Sequence, residues 1–157
     1  MSKNDYRFHF QLRVRWSECD AQGIAWAGSY MEYLEIAQSE YYRNLGVRIY
    51  DDQQRTHFDN ATVKVTLEYK SPLRVDDILD IYSRITRIGS TSMVQETAIY
   101  LQGSEELVHR AETVSVNYDS STGTARTVPD DIRELVTHFE RTGEVLPIDG
   151  FPDLALN

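Results

Sequence analysis

Hydrophobic and polar residues alternate without a break from Tyr6 to Trp16. Tyr6, Phe8, Phe10, Leu12, Val14 and Trp16 fall on one side, and Arg7, His9, Gln11, Arg13 and Arg15 on the other. A period of two is that of a half-buried strand. The period then changes: Tyr30, Leu34, Ala37, Tyr41 and Leu45 recur at steps of three and four, which is one face of a helix. Ser29 with Glu32 three residues on fits a capping box, and Gly46 fits the glycine that ends a helix. The spacing predicts a helix of about 17 residues, ~25 Å long.

A polar stretch from Asp51 to Asn60 leads to a second strand, in which Ala61, Val63, Val65, Leu67 and Tyr69 alternate with Thr62, Lys64, Thr66, Glu68 and Lys70 before Ser71-Pro72 breaks it. Three further strand-like runs follow, Ile78 to Ile88, Ser92 to Leu101 and Leu107 to Tyr118, with turns at Gly89-Ser-Thr91 and Gly103-Ser-Glu105. An antiparallel meander is the simplest way to join them. Pro129 opens a short helix pattern with Ile132, Leu135, Val136 and Phe139 on one side. One long helix followed by four strands requires the sheet to curl around that helix, so that Tyr30, Leu34, Ala37 and Tyr41 are buried. The fold class expected is α+β.

At 157 residues the chain is long enough for one well-buried domain and short for two. The domain is expected to run over 1–142. Residues 143–157 are expected to form an irregular tail that Leu146, Ile148, Phe151 and Leu154 pin to a surface. No apolar run is long enough to span a membrane, and the polar start Met1-Ser-Lys-Asn-Asp has no apolar signal region, so a cytoplasmic location is expected. The lone Cys19 has no partner for an internal disulfide, and His9, His57, His109 and His138 are scattered, so no metal is expected. A net charge of −9 disfavours a nucleic acid as partner, because binding phosphates needs a basic face.

The chemistry concentrates in Trp16-Ser-Glu-Cys-Asp20-Ala-Gln-Gly23-Ile24-Ala-Trp26-Ala27-Gly-Ser29-Tyr30. Asp20 stands in a tight loop before a helix start, where a carboxylate lies beside backbone N–H groups able to hold a developing oxyanion. The plainer alternative is an aspartate that caps the loop or the helix. Gly23 and Gly28 read as turn formers, Gly23 also as a place where substrate approaches the backbone. Trp16, Trp26 and Tyr30 line either an acyl pocket or plain core. Cys19 lacks a base to make it a thiolate and reads as buried filler. Glu35 on the helix reads as solvent- or subunit-facing.

The segment around Asp20 resembles the signature of the hotdog-fold acyl-CoA thioesterases, in particular the branch containing 4-hydroxybenzoyl-CoA thioesterase and the tol-pal-associated thioesterases. The matching residues are Glu18-Cys19-Asp20, Gly23-Ile24, Trp26 and Tyr30, then Val65 to Ile81 and Arg87-Ile-Gly89-Ser-Thr-Ser92-Met-Val, so the resemblance covers roughly residues 8 to 135. It implies an antiparallel sheet of about five strands wrapped around one long central helix, plus a short C-terminal helix. It implies hydrolysis of aromatic or short-chain acyl-CoA, with Asp20 as nucleophile or general base and the backbone N–H of Ala27 on the thioester oxygen. Relatives usually carry histidine or tyrosine at the place of Ala27. Gly23, Ile24, Trp26 and Tyr30 would contact substrate, and the turn formed by Arg87, Gly89, Ser90, Thr91 and Ser92 would contact the CoA arm. The resemblance also implies a site at a subunit interface, hence a homodimer or homotetramer, and no cofactor. The alternatives are a fatty acyl-CoA thioesterase of the same fold and a catalytically silent acyl-thioester binding or scaffold protein. A hydratase of this fold would need a histidine near the helix start, and none occurs between His9 and His57.

Overall fold

The computed structural model describes residues 2–156. Strand β1 is Phe8–Arg13, shorter than the alternation predicts. Val14 keeps the strand's inward side, fully buried and with its N–H on the Asp77 carbonyl at 2.9 Å. The chain then tightens into a single 3-10 turn over Trp16–Glu18, which leaves Trp16 85% exposed instead of on the buried face. The cause lies in Glu18: its carboxylate receives the Arg15 N–H at 2.7 Å and folds the end of the alternating run back on itself.

Helix α1 is Ala27–Asn44 and starts two residues before the predicted capping box, with Trp26 at the N-cap. Ser29 does not cap it, because its hydroxyl donates to the Glu18 carbonyl at 2.8 Å; Glu32 is exposed. The far end agrees with expectation, since Gly46 follows Leu45 with a φ of +84°. Part of the polar stretch after it forms α2, Asp52–His57, capped by Asp51 Oδ1 on the N–H groups of Gln53 and Gln54.

Strands β2 (Asn60–Tyr69), β3 (Ile78–Ile88), β4 (Ser92–Leu101) and β5 (Leu107–Asp119) lie where the period-two runs place them. Two-residue β6 (Thr124–Ala125) pairs with β5, and α3 (Asp130–Thr142) ends at Gly143, φ +77°. The order is β1-β3-β4-β5-β2, antiparallel throughout. The meander is therefore only β3 to β5, with β1 and β2 on its two edges. The link from β2 to β3 must cross one end of the sheet, and this crossing builds the site described below.

Tyr33, Ala37 and Tyr41 of α1 are completely buried, the first two in one cluster with Leu79, Ile81 and Ile99 of the sheet. Tyr41, Tyr42 and Leu45 join Phe58, Met93 and the apolar face of α3, where Phe151 and Leu154 of the tail also bury themselves. Each such side chain stabilises the fold by about 1.5–3 kcal/mol through area removed from water. On the sheet's other face Tyr6 donates to Glu96 at 2.6 Å, and Arg84 and Arg110 reach the same carboxylate at 3.2 and 3.1 Å. A curled antiparallel sheet around one long helix is the α+β hotdog arrangement that the resemblance implies.

Candidate active site

Two connections meet at one end of the sheet: the loop from Val14 to Trp26, and the β2–β3 crossing through Leu73 and Arg74. The Ala25 N–H donates to the Leu73 carbonyl at 2.7 Å, and Ile24 bridges to Arg74. Inside the first loop Asp20 and Gly23 form a turn, with Gly23 N–H on the Asp20 carbonyl and Asp20 N–H on the Ile24 carbonyl, both at 2.9 Å. Gly23 has a φ of +78°, which explains a glycine there. The Asp20 side chain is exposed. Its Oδ1 accepts the Gln22 N–H at 2.8 Å, and Oδ2 has no hydrogen-bond partner among the described residues.

Glu18 holds this loop to α1. Only 3% exposed, it accepts from Arg15 Nε at 2.9 Å, Arg15 Nη2 at 2.6 Å and the Tyr33 hydroxyl at 3.0 Å. Its carbonyl takes the Trp26 N–H at 3.1 Å as well as the Ser29 hydroxyl. Burial opposes the charge on Glu18, but the Arg15 and Tyr33 hydrogen bonds outweigh it and hold the carboxyl below its ordinary range.

Helix α1 leaves its first N–H groups at the loop. Ser29 N–H donates to the Trp26 carbonyl at 2.9 Å, whereas those of Ala27 and Gly28 have no acceptor among the described residues. Free donors at a helix start carry the positive end of the helix dipole. Gly28 is inside the helix and not in a turn as the sequence suggested. A Cβ there would lie 2.2 Å from the tip of the half-exposed Trp26 ring, which would have to swing aside.

Beside these donors is a cavity of about 350 Å³, walled by Ile24, Ala27, Tyr30, Tyr69, Lys70 and Pro72, among others. The Tyr69 hydroxyl donates to the Ala27 carbonyl at 3.2 Å. Behind the two tyrosines, fully buried, is His109, which β-pairing sets opposite Tyr69. It stacks on Tyr30 (4.5 Å between centroids, 28° between planes) and meets Tyr69 edge-on at 5.1 Å. Burial pushes its pKa down to about 4, with a small opposing pull from the Glu68 carboxylate, so the imidazole is neutral.

Asp20, Gly23, Ile24, Trp26, Ala27 and Tyr30 are thus gathered at one end of the molecule, with Ile24, Ala27 and Tyr30 in the cavity wall and Asp20, Gly23 and Trp26 outside it. Arg87, Gly89, Ser90, Thr91 and Ser92 are not. Ile78 is near the Asp20 end, and β3 then runs to Ile88, about 33 Å away at 3.3 Å per residue. That turn is tied to the rest of the fold: Arg133 Nη2 donates to the Gly89 carbonyl at 2.8 Å, and Ser90 and Thr91 carbonyls accept from Val128 and Asn117, both at 2.9 Å. At the same far end His57, Asp131 and Asp153 converge within 4.8 Å, with His57 Nε2 at 2.8 Å from Asp131. Cys19 is partly buried beside the loop and Glu35 is exposed. Sequence reasoning missed Tyr69 and His109, whose meeting depends on strand register, and the anchoring role of Glu18, for which its spacing from Arg15 was the one local sign.

Among the described residues no helix is long and apolar enough to cross a membrane. Residues 14–136 match the profile of the thioesterase-like superfamily. The chain is 30% identical over 141 residues, 88% of its own length and 99% of the relative's, to the acyl-CoA thioester hydrolase YbgC of Escherichia coli. Its backbone is similar to 4-hydroxybenzoyl-CoA thioesterase solved with 4-hydroxybenzoyl-CoA (TM-score 0.74, 24% identity, covering 82% of this chain and 97% of that one). It is also similar to a 1,4-dihydroxy-2-naphthoyl-CoA thioesterase from Synechocystis (TM-score 0.76, 15% identity, covering 83% and 95%). With its fold, the matched profile and a relative aligned along nearly its whole length in agreement, the chain belongs to the thioesterase-like superfamily and is a thioester hydrolase of the hotdog fold.

Proposed function

We propose that the chain hydrolyses the thioester of aromatic or short-chain acyl-CoA, with Asp20 as the reacting carboxylate and the Ala27 N–H as oxyanion donor. The observation that carries this reading is the pair of unengaged N–H groups at the start of α1, set beside a cavity and fixed to the Asp20 loop by Glu18. A carbonyl oxygen held there gains charge as its carbon becomes tetrahedral, and preorganised donors stabilise that charge more than the ground state. Asp20 either takes a proton from the attacking water or attacks the carbonyl carbon itself to give an anhydride that water then opens. In both routes the C–S bond breaks, the CoA thiolate leaves and is protonated, and one water is consumed. A donor from the backbone needs no side chain at Ala27. The aromatic lining of the groove by Tyr30 and Tyr69 suits a ring or a short acyl chain.

CoA is anionic and the chain carries a net charge of −9, so recognition must come from short-range contacts. The Arg87 to Ser92 turn supplies such contacts, but from the far end of its own sheet it cannot reach a thioester at Asp20. A second copy must bring it, which makes the working unit a homodimer or a homotetramer. A cytoplasmic setting suits the free thiol of Cys19. The test is thiol release from a panel of aryl, short and long acyl-CoAs together with light scattering. Turnover confined to long chains would refute the substrate class, absence of turnover on every member the activity, and an active monomer near 18.2 kDa the shared site.

A further inference from the structure

His109 has both ring nitrogens buried with no hydrogen-bond partner among the described residues. Buried polar groups in folded proteins are nearly always paired, and one left open next to a cavity calls for a missing partner. Its place is specific. Tyr30 and Tyr69 line the cavity by the α1 donors, and His109 lies directly behind them, against both rings. Tyr69 is the more exposed member of that wall: it is the last residue of edge strand β2, 49% exposed, with its hydroxyl 3.2 Å from the Ala27 carbonyl and its ring edge-on to Tyr30 and His109. Tyr30 is fixed in the helix and buried.

We propose that His109 is the specificity-determining residue of the acyl pocket: when an acyl group displaces the Tyr69 ring, the imidazole hydrogen-bonds an oxygen on the far end of that group. This rests on the reading of the cavity as the acyl site. A neutral imidazole has one donor and one acceptor. Its complement is a hydroxyl, which can give one bond and take the other. An ionised carboxylate would find no charge to meet it there and would lose its hydration in an apolar pocket. The enzyme therefore favours hydroxy-acyl thioesters over their unsubstituted counterparts, because the unsubstituted chain leaves the imidazole open.

The test compares matched pairs, hydroxybenzoyl-CoA with benzoyl-CoA and 3-hydroxybutanoyl-CoA with butanoyl-CoA. In the wild-type chain kcat/KM favours one hydroxylated member by about tenfold or more. His109→Phe brings that ratio close to one, and His109→Gln, which keeps a donor and an acceptor, retains a preference. A second measurement needs no change at His109. In the Asp20→Asn chain, which spares the thioester, the ¹⁵N shifts of the His109 ring move on binding the favoured hydroxylated ligand and not its counterpart. No preference in the wild-type chain, a ratio that survives His109→Phe, or equal ring shifts with both ligands would each overturn the proposal. If no acyl-CoA is turned over, the hydrolytic reading fails by itself, and the ring shifts still decide whether His109 meets the acyl oxygen.

Discussion

His109 makes stability depend on pH between 6.5 and about 4. Folding buries the ring and lowers its pKa from 6.5 to about 4, so between those values the unfolded chain binds a proton that the folded chain refuses. The sign follows: the full stability is present above pH 6.5, falls as the pH drops toward 4, and changes no further below that. At about 1.36 kcal/mol per pH unit the whole effect is about 3 kcal/mol, of which about 1.4 is lost at pH 5.5 and about 2.5 at pH 4.5. Other groups titrate nearby. Glu18 and Glu96, both depressed, lose their contribution only as pH falls below the ordinary carboxyl value of 4.5, while Glu140, raised by burial, favours the folded state as it takes up its proton. Subtracting a variant cancels these. Urea unfolding of the wild-type chain and of His109→Gln, at one fixed protein concentration because an oligomer is expected, gives the difference at each pH. That difference should move against the wild-type chain by about 2.5 kcal/mol between pH 7.5 and 4.5. Parallel curves would show that the ring is solvated in the native state and would remove the argument for a dry, unpaired imidazole.

Asp20→Asn should lower kcat about a hundredfold or more, ~2.7 kcal/mol, while substrate affinity stays nearly intact; a kcat within a few-fold of wild type removes Asp20 from the mechanism. Cys19→Ser should be nearly silent in the same assay, and a collapse there would favour a thiol nucleophile. Glu18→Gln weakens the hydrogen bonds to the Arg15 guanidinium, which is itself exposed; urea unfolding should report a loss of about 1–2 kcal/mol, and steady-state kinetics a fall in kcat larger than any change in KM, as expected of a residue that positions the Asp20 loop. Arg87→Ala should raise KM for acyl-CoA roughly five- to thirtyfold, about 1–2 kcal/mol, and leave acyl-pantetheine hydrolysis unaffected; equal damage on both would assign Arg87 to the fold. If the turn comes from a second copy, co-refolded Asp20→Asn and Arg87→Ala chains should recover about a quarter of wild-type kcat/KM, because random pairing makes one site in four intact; recovery no better than the average of the two parents would place Arg87 outside the shared site.

The strands were legible because a period of two survives wherever one face of a sheet is buried, and β2 through β5 begin and end close to where the alternation does. Legibility failed where a long-range partner outbid a local one. Ser29 and Glu32 have capping-box spacing, but the Ser29 hydroxyl goes to the Glu18 carbonyl and the helix starts at Ala27, which is what leaves the Ala27 and Gly28 N–H groups free. Trp16 continues the alternation of β1, yet Glu18 and Arg15 turn the chain before it can be buried. In both cases Glu18 decides, so the departures from local pattern fall on the loop that holds Asp20. Local preference is given up here so that Glu18 ties the Asp20 loop to the start of α1. Tyr69 and His109 are a different case, because nothing in the spacing of either strand says that they face each other. That follows from the β2–β5 register, which sets Tyr69 opposite His109. The residues gathered at this end are therefore mostly written locally, between Glu18 and Tyr30, whereas the shape of the groove beside them is a property of topology; if the proposed reading holds, substitutions in β2 and β5 should alter acyl preference before they alter the hydrolytic step.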